Sequence, residues 1–193
     1  MNSIELAEAI EVRSFRSHMI GDPRGRVEVR FRPLVPGDQV ALGDFFEAHA
    51  AETTFLRSAL TRDLPAWELA RYFLKMDGFN EFALTGVIQE GAAEQVVAIG
   101  RYLLDQDTEL AEMSFLVHAG YRRAGIASHL ARRISELILA RGLAGMTAVV
   151  PEANLDMLHV LGEVLAPPGE NVTESGQTTL RWFFAARVAP GGG

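Results

Sequence analysis

The chain has 193 residues, of which 48% are hydrophobic and 22% charged, and its formal net charge is −7. These values are typical of one globular domain and exclude wholesale disorder and a broadly basic nucleic-acid-binding surface. The sequence contains no cysteine, which excludes disulfides, thiolate metal sites and a cysteine nucleophile. Its five histidines show no metal-ligand spacing, and no stretch resembles a signal peptide or a membrane span. We therefore expect a cytoplasmic protein without a metal or a membrane partner.

The first part of the chain predicts an N-terminal arm, a strand and two helices. Residues 1–26 form the arm, which we expect to pack on the domain or on a partner subunit. Residues 27–32 alternate apolar and charged side chains, as a half-buried strand does. The two helices that follow have a predicted core face. Its members are Val40, Leu42, Phe45 and Phe46 in the first helix and Trp67, Ala70, Phe73 and Leu74 in the second.

The middle of the chain predicts three strands, over 81–88, 95–104 and 109–117, joined by short polar or small links that favour an antiparallel meander. After Gly120 the apolar period becomes helical. The residues of this stripe are Ile126, Leu130, Ile134, Leu137 and Ile138. Gly142 is suited to end that helix.

The last part predicts a strand at 146–150, a helix at 154–164, a loop around 166–176 and a strand at 178–188. Residues 189–193 are expected to be a disordered tail. The complete order of elements predicts an α/β (α+β) domain over residues 27–188 with a mixed central sheet. The unit from 109 to 150 should cross over right-handed, so that its two strands lie parallel and adjacent.

The segment 111–128 has the clearest chemical signal. A buried strand enters a short loop that opens an amphipathic helix, and Gly125 and Ala127 are small where the helix begins. The first N–H groups of a helix have no internal partners, so such a start is suited to bind an anion. Five arginines and one glutamate lie between residues 122 and 141. This pattern fits a site for a phosphate-bearing ligand and fits equally an ordinary strand–helix turn with surface arginines.

The motif Arg122-x-x-Gly125-x-Ala127, placed between an apolar strand and a helix, resembles the acetyl-CoA signature of the GNAT superfamily of N-acetyltransferases. The segment 153–158 looks like the start of that fold's last helix. Segments 32–38, 55–57 and 97–102, with Ala111-Glu112, look like bacterial Pat-type protein lysine acetyltransferase domains. The resemblance implies a GNAT fold, with a mixed central sheet of about seven strands that includes a parallel splayed pair and is flanked by about four helices.

The resemblance also implies that acetyl-CoA lies, as co-substrate, between the strand ending at Val117 and the strand 146–150. The backbone of Phe115 and Val117 would pair with the pantetheine arm, and the N–H groups of 122–128 would hold the pyrophosphate. The implied cofactor-binding residues are Phe115, Leu116, Val117, Arg122, Arg123, Ala124, Gly125, Ile126, Ala127, Ser128 and Asn154. Asn154 is equally suited to cap the helix that it begins.

Glu112 stands where Pat-type enzymes have a glutamate read as the general base, and Glu109 is the alternative carboxylate. The implied reaction is transfer of an acetyl group from acetyl-CoA to a primary amine, with a protein lysine favoured over a small amine. The last helix lacks the tyrosine with which many GNAT enzymes protonate the leaving thiolate, and His159 is expected to be a packed or surface residue. This departure keeps open a catalytically weak acyl-CoA-binding or regulatory module, and a homodimer also stays open.

Overall fold

The computed structural model describes residues 14–18, 26–50 and 64–184, and within them the chain forms eight strands and four α-helices. The strands are β1 (Ser14–His18), β2 (Arg26–Pro33), β3 (Glu81–Glu90), β4 (Ala93–Leu104), β5 (Leu110–Val117), β6 (Gly145–Pro151), β7 (Glu170–Glu174) and β8 (Gln177–Phe183). The helices are α1 (Gln39–Ala48), α2 (Ala66–Phe73), α3 (Ile126–Ala140) and α4 (Leu155–Val164).

All eight strands lie in one mixed sheet, in the order β1-β2-β3-β4-β5-β6-β8-β7. Strands β3, β4 and β5 form the antiparallel meander that the short links predict. Strands β5 and β6 are parallel neighbours joined through α3, which confirms that the two strands of the predicted unit lie parallel and adjacent. The predicted mixed α/β arrangement with one parallel pair is confirmed, with eight strands in the described residues where the sequence predicts about seven.

Two apolar cores lie on opposite faces of the sheet. On one face α3 and the buried residue of α4 pack against β4, β5 and β6, with Ile134, Met113 and Phe115 among the buried side chains. On the other face α1 and α2 pack against β3 and β4, and Leu116 of β5 joins them. Because alternate residues of a strand point to opposite faces, β5 serves both cores at once.

Two predicted core positions are wrong. Trp67 is 53% exposed and Val40 is 75% exposed. The buried stripe of α2 contains Ala66, Leu69, Ala70 and Phe73, and Trp67 falls one position off that stripe on a helix of 3.6 residues per turn. Val40 falls off the stripe of α1 for the same reason, since Leu42, Phe45 and Phe46 define its buried side.

Two segments that the sequence assigns to an arm and to a loop contribute strands. β1 pairs antiparallel with β2, and β7 forms a hairpin with β8. The resemblance at 55–57 and the predicted tail at 189–193 lie outside the described residues. In the ranges that are described, no helix has the length and apolar character to span a membrane.

Candidate functional site

The loop between β5 and α3 reverses the chain within a few residues. The ring Nδ1 of His118 accepts a hydrogen bond from the N–H of Gly120 (3.0 Å), and the N–H of Tyr121 donates to the His118 carbonyl (2.8 Å). The Tyr121 side chain is buried and fixes this turn to the core. Arg123 and Gly125 then adopt positive φ angles of 58° and 77°. Only glycine occupies that region without strain, so Gly125 allows α3 to begin at once.

The N-terminus of α3 meets the requirements of an anion site. The first internal hydrogen bond of the helix runs from the His129 N–H to the Gly125 carbonyl (3.0 Å), so the N–H groups of residues 126–128 precede it and have no partner within the helix. The N-cap, Gly125, makes no side-chain cap, and the first turn contains no acidic residue. The positive end of the helix dipole is therefore uncompensated by the helix itself.

A cleft of about 520 Å³ lies against this helix start. It is bounded by the end of β5, the loop, the first turn of α3 and the first turns of α4. Its lining residues are Phe115, Leu116, Val117, Tyr121, Arg122, Arg123, Gly125, Ile126, Ala127, Ser128, Asn154, Asp156, Met157, His159 and Val160. The structure thus brings together every implied cofactor-binding residue except Ala124, which packs against the core.

The cleft has four further lining residues that the sequence does not predict, Tyr121, Asp156, Met157 and Val160. The sequence predicts only a packed or surface role for His159. Met157 and Val160 lie three residues apart on α4, a spacing that places both on one helix face. His159 is exposed on the outside of α4 and also borders the cleft. The helical period of α4 predicts that Met157 and Val160 share one face. It does not predict that this face turns toward the loop after β5.

Two arginines and one aspartate set the charge at the mouth of the cleft. The Nε–H of Arg122 donates to the carbonyl of Val117 (3.1 Å), which ties the loop to the end of β5. Arg123 forms an ion pair with Asp156 of α4 across the opening, at 3.4 Å between Nη2 and Oδ2. Both partners are highly exposed (84% and 76%), so this pair contributes little stability and a competing anion can displace it.

Asn154 performs the capping role that the sequence predicts as one of its two options. Its Oδ1 accepts a hydrogen bond from the N–H of Met157 (3.1 Å) at the start of α4. The same residue lines the cleft. Capping and ligand contact are therefore compatible at this position.

Strands β5 and β6 diverge beside the cleft. Their parallel pairing ends at Met113 and Ala148, although β5 continues to Val117 and β6 to Pro151. On its other edge β5 stays paired with β4 as far as Val117. A second space of about 80 Å³ lies between the splayed ends and shares Phe115, Asn154 and Met157 with the main cleft. The β6-facing backbone edge of 114–117 thus has no strand partner among the described residues.

Glu112 lies on β5 one residue before the splay and is half-buried. Its register partners are Leu103 on β4 and Thr147 on β6. Alternation along β5 places it on the face of Leu116, toward α1 and α2, and opposite to the face that packs on α3. Glu109, the alternative carboxylate, is exposed in the turn before β5 with a φ of 57°. Glu112 lies in neither cleft lining but adjoins the point where the strands separate.

A buried polar group accompanies Glu112 on that face. Arg101 of β4 is 2% exposed, and its Nε–H donates to the hydroxyl of Ser114 (3.2 Å). Its guanidinium carbon lies 5.4 Å from the ring centroid of Phe73. Burial lowers the pKa of Arg101, while the nearby Tyr72, Glu112 and Glu81 oppose that shift. In the sequence, Arg101 lies within the segment 97–102 and carries no signal of its own that assigns it to the site.

Comparisons with known proteins agree with this architecture. The chain matches the acetyltransferase (GNAT) family over residues 45–164. The GNAT domain of Streptomyces lividans PAT superposes with a TM-score of 0.64 at 20% identity, over 89% of this chain and 97% of that domain. YncA of Salmonella typhimurium, solved with its cofactor acetyl-CoA, superposes with a TM-score of 0.63 at 14% identity, over 84% and 98% of the two chains.

A cAMP-binding acyltransferase from Mycobacterium smegmatis superposes with a TM-score of 0.52 at 21% identity, over 97% of this chain and 52% of that one. This chain therefore corresponds to about half of that protein. A search of curated proteins finds no significant match. At these identities the solved structures establish the fold, whereas the family match covers more than half of the sequence. From the splayed strands, the open helix start and this match, we conclude that the chain belongs to the acetyltransferase (GNAT) family.

Proposed function

We propose that this protein transfers an acetyl group from acetyl-CoA to a primary amine, with a protein lysine as the favoured acceptor. One observation supports the proposal. The edge of β5 that has no strand partner and the start of α3 that has no side-chain cap line the same cleft. A ligand that joins an amide-containing arm to a pyrophosphate matches both parts of that surface. Acetyl-CoA is such a ligand, and when bound it supplies an acetyl group activated as a thioester.

Different residues of the cleft are proposed to bind different parts of acetyl-CoA. The backbone of Phe115 and Val117 offers strand-like hydrogen bonds to the pantetheine amides. The N–H groups of residues 126–128, with the helix dipole, favour the pyrophosphate, and the small side chain of Ala127 allows close approach. Arg122 and Arg123 add two positive charges at the cleft mouth. Asn154 contributes from α4 while it caps that helix.

Glu112 is the proposed general base. An ordinary lysine amine has a pKa near 10.4, so at neutral pH it is mostly an ammonium without the lone pair that attack on the thioester requires. A carboxylate, acting directly or through a water, removes that proton. The amine nitrogen then forms the new bond to the acetyl carbon, the carbon–sulfur bond breaks, and CoA leaves as the thiolate. The nitrogen loses its second proton as the amide forms, and the thiolate takes up a proton from solvent. With no cysteine in the sequence, a cysteine-bound acetyl intermediate is excluded.

The preference for a protein lysine rests on the resemblance of segments 32–38 and 97–102, with Ala111-Glu112, to Pat-type domains. A small amine is the alternative acceptor. A catalytically weak acyl-CoA-binding module is the alternative function, because α4 contains no tyrosine to protonate the leaving thiolate. Both alternatives are outcomes of the experiment that follows.

The proposed activity is tested by release of free CoA thiol from acetyl-CoA in the presence of lysine-containing peptides and small primary amines. The protein contributes no thiol of its own, so the assay has no background from cysteine. Glu112→Gln should lower kcat by about 10²–10⁴-fold and leave the Kd for acetyl-CoA nearly unchanged, because only the base is lost. Glu109→Gln, in the exposed turn, is the matched control and should retain activity.

Three results would contradict parts of this proposal. Equal turnover by Glu112→Gln and the parent protein would overturn the assignment of the base. Turnover with small amines but not with lysine peptides would overturn the favoured acceptor. Tight acetyl-CoA binding without turnover on any acceptor would overturn the enzymatic proposal and favour the binding module.

A further inference from the structure

The guanidinium of Arg101 occupies the centre of the sheet face that contains Glu112. Its Nε–H donates to the hydroxyl of Ser114 (3.2 Å), and the guanidinium also hydrogen-bonds to Tyr72 of α2. The terminal Nη1 is buried and has no hydrogen-bond partner within the described structure. Buried donors are almost always satisfied in folded proteins, so each exception requires an explanation. Arg101 thus has donor capacity that the resting fold does not use.

The strand register brings two carboxylates to Arg101. Arg101 is opposite Ser114 on β5 and opposite Ala83 on β3, while Leu103, two residues further along β4, is opposite both Glu112 and Glu81. Glu112 and Glu81 are therefore the diagonal neighbours of Arg101 on the two adjacent strands. Diagonal pairs on one face of an antiparallel sheet are within reach of long side chains. Both carboxylates favour the charged form of Arg101 against the desolvation that lowers its pKa.

The two carboxylates differ in their other partners. Tyr72 of α2 donates its hydroxyl to Glu81, and burial together with this carboxylate raises the pKa of Tyr72 to about 12. The hydroxyl therefore stays protonated at neutral pH and remains a donor to Glu81. Glu112, on the opposite diagonal, is the carboxylate that adjoins the splay between β5 and β6. Glu81 therefore has a structural partner in Tyr72, whereas Glu112 lies beside the point where β5 and β6 diverge.

We propose that Arg101 is a positioning residue, which orients the carboxylate of Glu112 for removal of the acceptor proton. This inference rests on the function proposed above. Ser114 and the Phe73 ring fix the guanidinium, so its orientation is set by the sheet and by α2 and not by the acceptor. A guanidinium is suited to this role because its planar fork binds one partner through Nε while its terminal nitrogens face another.

The test is a double-mutant cycle of Arg101→Met and Glu112→Gln in the thiol-release assay. Arg101→Met should lower kcat by about 10–100-fold, the scale of loss expected when a catalytic group is misplaced by about 1 Å. In the Glu112→Gln background the same change should cost less than about twofold, because the group on which Arg101 acts is already gone. Acetyl-CoA affinity should stay within about twofold in all four proteins, since Arg101 is not in the cleft lining.

Arg141→Met is the matched control. Arg141 is a second arginine with buried nitrogens that have no hydrogen-bond partner, although its side chain is only partly buried, and it packs over the rings of Phe82 and Tyr102 at 5.1 and 5.3 Å. It ends α3 away from Glu112 and should affect thermal unfolding and not kcat. Arg101→Lys, which retains the charge without the fork, should recover part of the kcat lost in Arg101→Met. Ser114→Ala, which frees Nε, should lower kcat even where Arg101→Met does not fold.

The outcomes separate the inference from the proposed function. Two results would overturn the positioning role and leave the transferase activity of the parent protein intact. One is a double variant whose loss of kcat equals the product of the two single losses, and the other is a loss of kcat in Arg141→Met equal to that in Arg101→Met. The positioning role would also be overturned if Arg101→Lys recovered none of the lost kcat and Ser114→Ala kept the full kcat of the parent protein. Absence of turnover in the parent protein would overturn the proposed function and this inference together.

Discussion

At the residue scale, the left-handed backbone of Gly125 is what allows α3 to begin directly after Arg122 and Arg123. A side chain at that φ would be strained. An acidic side chain would also compensate the positive end of the helix and so compete with a bound anion. The motif Arg122-x-x-Gly125-x-Ala127 is therefore a backbone requirement as much as a sequence signature. This is why a short motif predicts the position of the cleft so well.

Asn154 allows its two roles to be separated by substitution. Asn154→Ala removes the Oδ1 that accepts the N–H of Met157, and should lower the free energy of unfolding by about 1 kcal/mol. Asn154→Ser keeps a capping oxygen and should keep most of that stability. If Asn154 also contacts the cofactor, both variants will bind acetyl-CoA more weakly. Chemical denaturation measures the free energy of unfolding, and calorimetry measures the affinity for acetyl-CoA. An unchanged affinity in Asn154→Ser would show that Asn154 only caps α4.

At the element scale, an ion-pair network joins the end of β2 to the entrance of α1 and to β4. Arg32 binds both carboxylate oxygens of Asp38 at 2.7 Å and also binds Glu94 at 2.7 Å. Asp38 accepts a further hydrogen bond from the N–H of Val35 (2.8 Å). Burial alone would raise the pKa of Asp38, but the hydrogen bonds from Arg32 and Val35 lower it overall. The network fixes α1 to the sheet.

This lowered pKa predicts a pH dependence of stability with a definite sign. A carboxylate whose pKa is lower in the folded state contributes stability above its unfolded pKa of about 3.9. That contribution is lost as the pH falls through the lower, folded value. Asp38→Asn should therefore cost about 2 kcal/mol at pH 7, and the difference from the parent protein should shrink below about pH 4. A difference that stays constant from pH 7 to pH 3 in urea unfolding would contradict the assignment.

The elements that the sequence predicts are those with strong periodicity. The apolar stripe of α3 and the meander of β3, β4 and β5 follow directly from the pattern of side chains. β7 was missed because residues 170–174 are all exposed and show no buried alternation. Its only signal is the turn at Ser175 and Gly176, both with positive φ, which closes the hairpin with β8. Edge strands of this kind are defined by pairing and not by burial.

At the scale of the whole molecule, the sequence predicts one half of the site much better than the other. The cofactor cleft is built from segments close in sequence, so a motif and its context were sufficient to predict ten of its lining residues. The cluster of Arg101, Tyr72, Glu81 and Glu112 depends on the register of three strands and on the packing of α2. No local pattern encodes that register, so the partners of Glu112 emerge only from the structure.

Calorimetric titration of acetyl-CoA into the parent protein, Gly125→Glu and Gly142→Glu tests the assignment of the cleft to acetyl-CoA most directly. Gly142 has a similar φ of 71° at the opposite end of α3 and open space around it, so it reproduces the backbone strain without the phosphate site. We predict saturable one-to-one binding by the parent protein and by Gly142→Glu, and at least a tenfold weaker affinity in Gly125→Glu. No binding by the parent at millimolar ligand, or equal affinity in both variants, would contradict the assignment of this cleft to acetyl-CoA.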